Sequence, residues 1–242
     1  MASSLTNSET AADASTASST SHSTSRGVAE PHTAHPDSYG AKRTLLLYIT
    51  LSALMACTAL ATDIFLPGVP EITAELGSGE ELMITSFLLG FALAQLILGP
   101  VSDRVGRKIP LSAGMIVFAS GSAWCAIADT MPELIIARVL QAVGACTGPM
   151  LARAIVRDLY EGTRAAQVLS TLMLIMALAP ILGPLMGGFL VVAGGWRWTF
   201  WAISAVALII FGLILFLPES LPPAKRDSGS ILSAFVNYPV LF

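Results

Sequence analysis

Six stretches of this chain are long and apolar enough to cross a lipid bilayer, at about residues 44 to 67, 82 to 101, 110 to 128, 132 to 153, 166 to 193 and 199 to 217. A hydrocarbon core of roughly 30 Å takes about 20 apolar residues per helix. Lipid offers backbone N–H and C=O groups no partner, so each stretch is expected to be a helix, which satisfies its own polar groups. The composition agrees, with 54% of the 242 residues hydrophobic and 12% charged, a balance rare in water-soluble domains. The fold expected is an all-α membrane protein with six transmembrane helices.

Residues 1 to 41 are dominated by Ser, Thr and Ala, carry no apolar run, and are expected to form a disordered cytoplasmic tail. They hold neither a signal-peptide core nor a basic transit pattern. His22, His32 and His35 fall in this tail and read as solvated. Cys57, Cys125 and Cys146 lie in three different apolar stretches without metal-type spacing, and read as small buried hydrophobes.

Lys42 and Arg43 precede the first stretch, Arg104, Arg107 and Lys108 follow the second, Arg153, Arg157 and Arg164 surround the turn after the fourth, and Lys225 and Arg226 follow the sixth. The first alternate turn carries Glu71, Glu75, Glu80 and Glu81 with no basic residue. Because basic residues collect on the cytoplasmic side, both termini are expected in the cytoplasm and the glutamates outside. Arg197, among Trp196, Trp198 and Trp201 at the opposite end, reads as an interfacial headgroup anchor.

The turn between the second and third stretches is GPVSDRVGRK, Gly99–Lys108. Gly106 supplies freedom for the reversal, and Asp103 and Arg107 have the spacing of a pair at a helix end. Topology alone accounts for Arg104, Arg107 and Lys108, but not for Gly99, Asp103 and Gly106. The fourth stretch contains IIARVLQAVGACTGPM. Arg138 there costs on the order of 3 kcal/mol unless partnered or hydrated, which marks it as functional unless it snorkels to the outer surface. Gln141 and Gly144 follow on its face, and Gly144 and Gly148 permit close helix packing. The fifth stretch carries APILGPLMGGFL, where Pro180 and Pro184 remove helix donors and Gly183, Gly187 and Gly188 admit a neighbouring backbone. A kinked packing face is the plainer reading of that segment.

The first stretch ends ALATDIFLPGVP, and Asp63 is the acidic residue set well inside an apolar stretch. Such a carboxylate needs a partner, water or a proton. Counting rise along each helix puts Asp63 about 6 Å and Arg138 about 9 Å below the outer ends of their spans. The two depths are compatible. The other reading of Asp63 is a cap on the break before Pro67.

Together these motifs resemble those of the major facilitator superfamily of transporters. GPVSDRVGRK is similar to that family's G-x-L-[AS]-D-R-x-G-R-[KR] loop, with Val101 in the Leu position, and the Arg138 segment to R-x-x-Q-G-x-G, with Ala142 for the first Gly. The Pro180–Gly188 segment resembles the antiporter motif G-x-x-x-G-P-x-x-G-G, with Ala179 leading, and TDIFLPGVP resembles T-D-x-x-L-P-x-x-P of the Bcr/CflA drug:proton antiporters. That group exports compounds such as chloramphenicol and bicyclomycin.

The resemblance implies the N-terminal six-helix bundle of the major facilitator fold, two inverted three-helix repeats over 42–217, with 218–242 beginning a central cytoplasmic loop. The second six-helix half would then come from the same gene or from a partner subunit. It also implies that the first and fourth helices are neighbours lining the cavity, so that Asp63 and Arg138 face each other or share water, that these two and Gln141 serve proton coupling and substrate, and that Gly99, Asp103, Arg104, Gly106, Arg107 and Lys108 form a cytoplasmic gate against the second half. Pro180, Gly183, Pro184, Gly187 and Gly188 mark antiport. Met55, Phe65, Phe87, Phe91 and Gln95 are cavity candidates, and equally residues of the core, of the lipid face or of helix-to-helix bonding. Some multidrug members carry a second acidic residue about two turns before the position of Asp63, and Met55 and its neighbours offer none.

The implied function is proton-coupled efflux of drugs or other small amphipathic compounds across the inner cell membrane, a cationic or polar drug competing with the proton. An uptake or metabolite porter and a non-transporting half-transporter or sensor remnant are the alternatives. No nucleophile-and-base pair, metal cluster or phosphate loop appears in the sequence. Enzyme chemistry, a cofactor and a nucleic-acid partner are therefore not expected, and lipids, protons and a small drug-like molecule are the partners.

Overall fold

The computed structural model describes residues 41–217 together with Glu219 and Ser220. The expected tail and central loop, with the three histidines, lie outside the described residues apart from Ala41, Glu219 and Ser220. Among the described residues, six helical segments have membrane length. The first is α1 (Ala41–Asp63), continued by a 3-10 turn at Leu66–Gly68 and α2 (Val69–Leu76). Then follow α3 (Glu80–Val105) and α4 (Lys108–Ile127), the split pair α5 (Met131–Ala145) and α6 (Thr147–Leu159), α7 (Gly162–Gly194), and α8 (Arg197–Leu215).

Proline sets both interruptions. Pro67 has no N–H to offer the Asp63 carbonyl four residues back, so α1 stops at Asp63 and the chain turns through Leu66–Gly68. Pro149 likewise leaves the Ala145 carbonyl without its helical donor. The Thr58 hydroxyl of α1 donates to that oxygen at 3.1 Å and so joins the first span to the fourth at the interruption.

Lipid tails are as apolar as leucine, so helices associate here through close packing rather than through escape from water. α4 packs on α5 and α8, α3 on α5, and α1 on α7. Glycines make these approaches possible. A Cβ on Gly121 would lie 2.6 Å from the Gln141 backbone nitrogen, and one on Gly144 would strike the backbone of Phe118. Gly148 faces α1 instead, where an added Cβ would lie 2.8 Å from the Thr58 hydroxyl. The two glycines thus serve two different neighbours. Two apolar clusters result: a large one around Leu51, Phe118, Ile155 and Ile210, and a smaller one around Phe65, Met131, Trp196 and Phe200.

Candidate functional site

Arg138 lies where the two clusters meet. It is 1% exposed, with its guanidinium carbon 4.3 Å from the ring centroids of both Phe65 and Phe87 and 5.9 Å from that of Phe200. Nη1 donates to Gln141 Oε1 at 2.7 Å and to the Ala61 carbonyl at 3.2 Å. Gln141 in turn donates to the Ser122 hydroxyl at 2.8 Å. Ala61 belongs to the last turn of α1, whose carbonyls have no intrahelical donor. Arg138 therefore caps α1, a cation at the negative end of the helix. Its Nε has no acceptor among the described residues.

Asp63, two residues beyond Ala61, makes no ion pair with Arg138 within 4.0 Å among the described residues, so of the two arrangements expected, facing each other or sharing water, the direct facing pair is not formed. Rise per residue gives height but not direction around the helix. α1 ends at Asp63, and the turn leaves the side chain toward α7 rather than toward α5. There Gly183 and Gly187 of α7 receive it. A Cβ on Gly183 would lie 2.9 Å from the Asp63 Cβ, and one on Gly187 would overlap the Ile64 carbonyl oxygen. Asp63 is half-buried and has no hydrogen-bond or ionic partner among the described residues. Gly188, by contrast, faces open space; Pro180 is exposed and Pro184 half-buried on the same helix.

The cavity candidates divide. Met55 and Phe87 are each 1% exposed, enclosed in the bundle, with Phe87 committed to Arg138. This arrangement gives neither of them surface for a substrate. Phe65 is likewise enclosed against Phe200, at 5.9 Å between centroids. Phe91 and Gln95 are half-buried on α3.

At the other end of the bundle the Gly99–Lys108 turn forms a network. Gly106 ends α3 with φ +100°, which favours glycine. Arg107 donates to Asp103 at 2.6 Å, to Asp158 of α6 at 2.9 Å and to the Ser102 hydroxyl at 2.9 Å. Burial works against the charge of Arg107, but its bonds to Asp158 and Asp103 outweigh this and hold the guanidinium above its ordinary value. The backbone N–H groups of Arg107 and Lys108 donate to the Glu219 carboxylate at 2.8 and 3.2 Å, and Lys108 Nζ donates to the carbonyls of Leu215 and Leu217 at 2.8 Å each. Arg104 lies half-buried in the last turn of α3, and Gly99 sits a turn earlier. Sequence reasoning missed Asp158 and Glu219. Asp158 follows Arg157 in a run read only for its cations, and Glu219 is 112 residues from its partner.

The opposite end of the bundle holds a second network that the sequence reading missed. Glu75 of α2 accepts from the Trp196 indole at 2.8 Å and from Arg197 at 2.6 Å, while Glu71 accepts from the Trp196 backbone N–H at 3.0 Å. Arg197 also donates to the Ala128 carbonyl that ends α4, at 3.1 Å. It thus clamps the turns at this end, its guanidinium engaged by protein acceptors where the sequence suggested a headgroup anchor. Gly195, at φ +83°, reverses the chain into this contact.

The family model of the Major Facilitator Superfamily matches residues 51–242. Among curated proteins, the uncharacterized MFS-type transporter YdgK of Bacillus subtilis is 37% identical over 196 residues, which is 78% of this chain and 49% of that protein. The multidrug resistance protein MdtL of Escherichia coli is 32% identical over 194 residues, 76% of this chain and 50% of that protein. The chain thus spans about half the length of the curated relatives it matches. Among solved structures, the proton:xylose symporter XylE superposes with a TM-score of 0.66 at 17% identity, over 82% of this chain and 52% of that one. The human organic anion transporter MFSD10 gives 0.55 at 23% identity, over 78% and 49%.

Proposed function

The chain belongs to the major facilitator superfamily, and on that footing we propose that it forms the first six-helix half of an exporter that moves drugs or other small amphipathic compounds outward in exchange for protons. Within the superfamily the Bcr/CflA type fits best. The observation that carries this reading is Asp63: an unpartnered, half-buried carboxylate where the first span breaks, in backbone contact with the glycines of the antiporter motif. The name of the MdtL relative, a multidrug resistance protein, points the same way.

A carboxylate at this depth is costly when charged and cheap when protonated. A compound entering the cavity from the cytoplasm favours the ionised form and releases the proton inward. Reprotonation from the outer side returns the site to its neutral state, while the two halves rock around it. Arg138 contributes through the end of α1: its bond to Ala61 and the aromatic faces around it fix the turn that aims Asp63. Close contact of Gly183 and Gly187 with Asp63 and Ile64 couples that turn to α7, so movement of α7 is felt at the carboxylate. The Arg107 network closes the cytoplasmic side against the second half. The protein sits in the inner cell membrane with both termini in the cytoplasm, as its basic turns direct.

Transport in everted vesicles carrying the gene product that contains this chain tests the proposal. Drug accumulation driven by an imposed pH gradient is expected for the wild type and is expected to vanish in Asp63→Asn, which inserts normally but cannot release a proton. Undiminished pH dependence in that variant would refute the assignment.

A further inference from the structure

Between the inner half of the fourth span and the start of the fifth runs a groove of about 360 Å³, lined by Met150, Arg153 and Arg157 of α6 and by Leu169 and Met173 of α7. From Thr147 to Arg157, α6 is buried except for Met150, Arg153 and Arg157. These follow at steps of three and four and so form one line along the helix. Leu169 and Met173, a turn apart, face them. The cations stand near the end of α6, which terminates at Leu159. Met150 lies about 10 Å deeper than Arg157.

Neither guanidinium is neutralised. Arg153 turns back on its own helix, its Nε donating to the Pro149 carbonyl at 2.8 Å. Neither Arg153 nor Arg157 has a carboxylate within 4.0 Å among the described residues. The adjacent Asp158 is turned to Arg107, 2.9 Å away. Two unpaired cations at membrane level require water or an anion. They stand on the side where the other basic turns collect, at the mouth of a channel walled by thioethers and leucine. The outer surface of α7 continues from this wall as exposed Leu174, Ile181 and Leu185.

We propose that this groove binds an anionic phospholipid of the cytoplasmic leaflet. A basic pocket between helices on that side suits an anionic headgroup. Arginine presents paired donors to a phosphodiester, and Met150, Leu169 and Met173 give an acyl chain an adaptable apolar wall. The lipid interpretation shares only the orientation of the helices with the export reading, so either stands if the other fails.

The test is lipid binding to the purified protein by native mass spectrometry, with phosphatidylglycerol and phosphatidylcholine of equal acyl length. Phosphatidylglycerol is expected to bind about tenfold tighter than phosphatidylcholine. Arg153→Gln with Arg157→Gln is expected to erase that preference without weakening phosphatidylcholine, lysine at both positions to retain part of it, and Lys42→Gln to leave it intact. If the double variant does not fold, Arg157→Gln alone, at an exposed position, decides by a partial loss of preference. Equal affinity of the wild type for the two lipids overturns the proposal, and so does an unaltered preference in the glutamine variants. Displacement of phosphatidylglycerol by equimolar inorganic phosphate also overturns it, because the acyl chain would then contribute nothing.

Discussion

Arg138 is held by a carbonyl, an amide and aromatic faces, with no carboxylate in reach among the described residues. Burying a charge on those terms costs several kcal/mol, and a well-packed apolar substitute is often at least as stable. The double variant Arg138→Met/Gln141→Leu is therefore expected to melt within about 2 kcal/mol of the wild type, while proton-driven export is lost. Failure of that variant to fold would make Arg138 a structural residue. The glycines of α7 give a sharper contrast. Gly187→Ala drives a methyl into the Ile64 carbonyl and is expected to cost on the order of 2 kcal/mol, with export impaired. Gly188→Ala, one residue along and facing open space, is expected to stay within about 1 kcal/mol. Thermal denaturation in detergent reads both, and equal effects would mean the contact with the end of α1 does not matter.

The turns show which element contacts carry weight. Arg107 bridges α3 to α6 through two acids of different exposure, Asp158 at 18% and Asp103 at 55%. A charge-assisted bond to a shielded acid is worth about 2 kcal/mol, and one to an exposed acid about 1 or less. Asp158→Asn is accordingly expected to destabilise more than Asp103→Asn and to slow turnover more, with substrate binding retained in both. The reverse ranking, or loss of binding, would contradict the gate. Arg107 itself is held charged throughout the working pH range by its bonds to Asp158 and Asp103.

These turns also show where sequence reasoning runs out. The six spans were legible because lipid imposes one length and one backbone solution on each, and the spacing of Asp103 and Arg107 was legible because it is local. The partners Asp158 and Glu219, and the bonds of Glu71 and Glu75 to Trp196 and Arg197, join residues 51 to 125 apart in the chain. They depend on which helix lies beside which. The direct pairing of Asp63 with Arg138 does not form for a related reason. Pro67 turns the chain at the end of α1, and a count of heights along straight helices does not register the rotation. What that count did register was proximity, since Arg138 reaches the carbonyl two residues before Asp63.

As a unit, the six helices make one bundle whose first span is tied to its neighbours at three levels. Thr58 grips the interruption of the fourth span, Arg138 caps the end of α1, and the Glu75–Arg197 clamp holds α2 at the end away from the Arg107 network. Such ties suit the proposed antiport, in which this half moves as a rigid body while the Asp63 carboxylate at its break changes protonation. Proton release on substrate binding, followed with a pH indicator in weakly buffered detergent solution, examines that carboxylate without requiring turnover. Using the gene product that contains this chain and a drug it exports, the wild type is expected to release a proton on binding. Asp63→Asn is expected to bind the same drug and release none. Equal release from the two proteins would place the exchanged proton elsewhere and contradict the role assigned to Asp63.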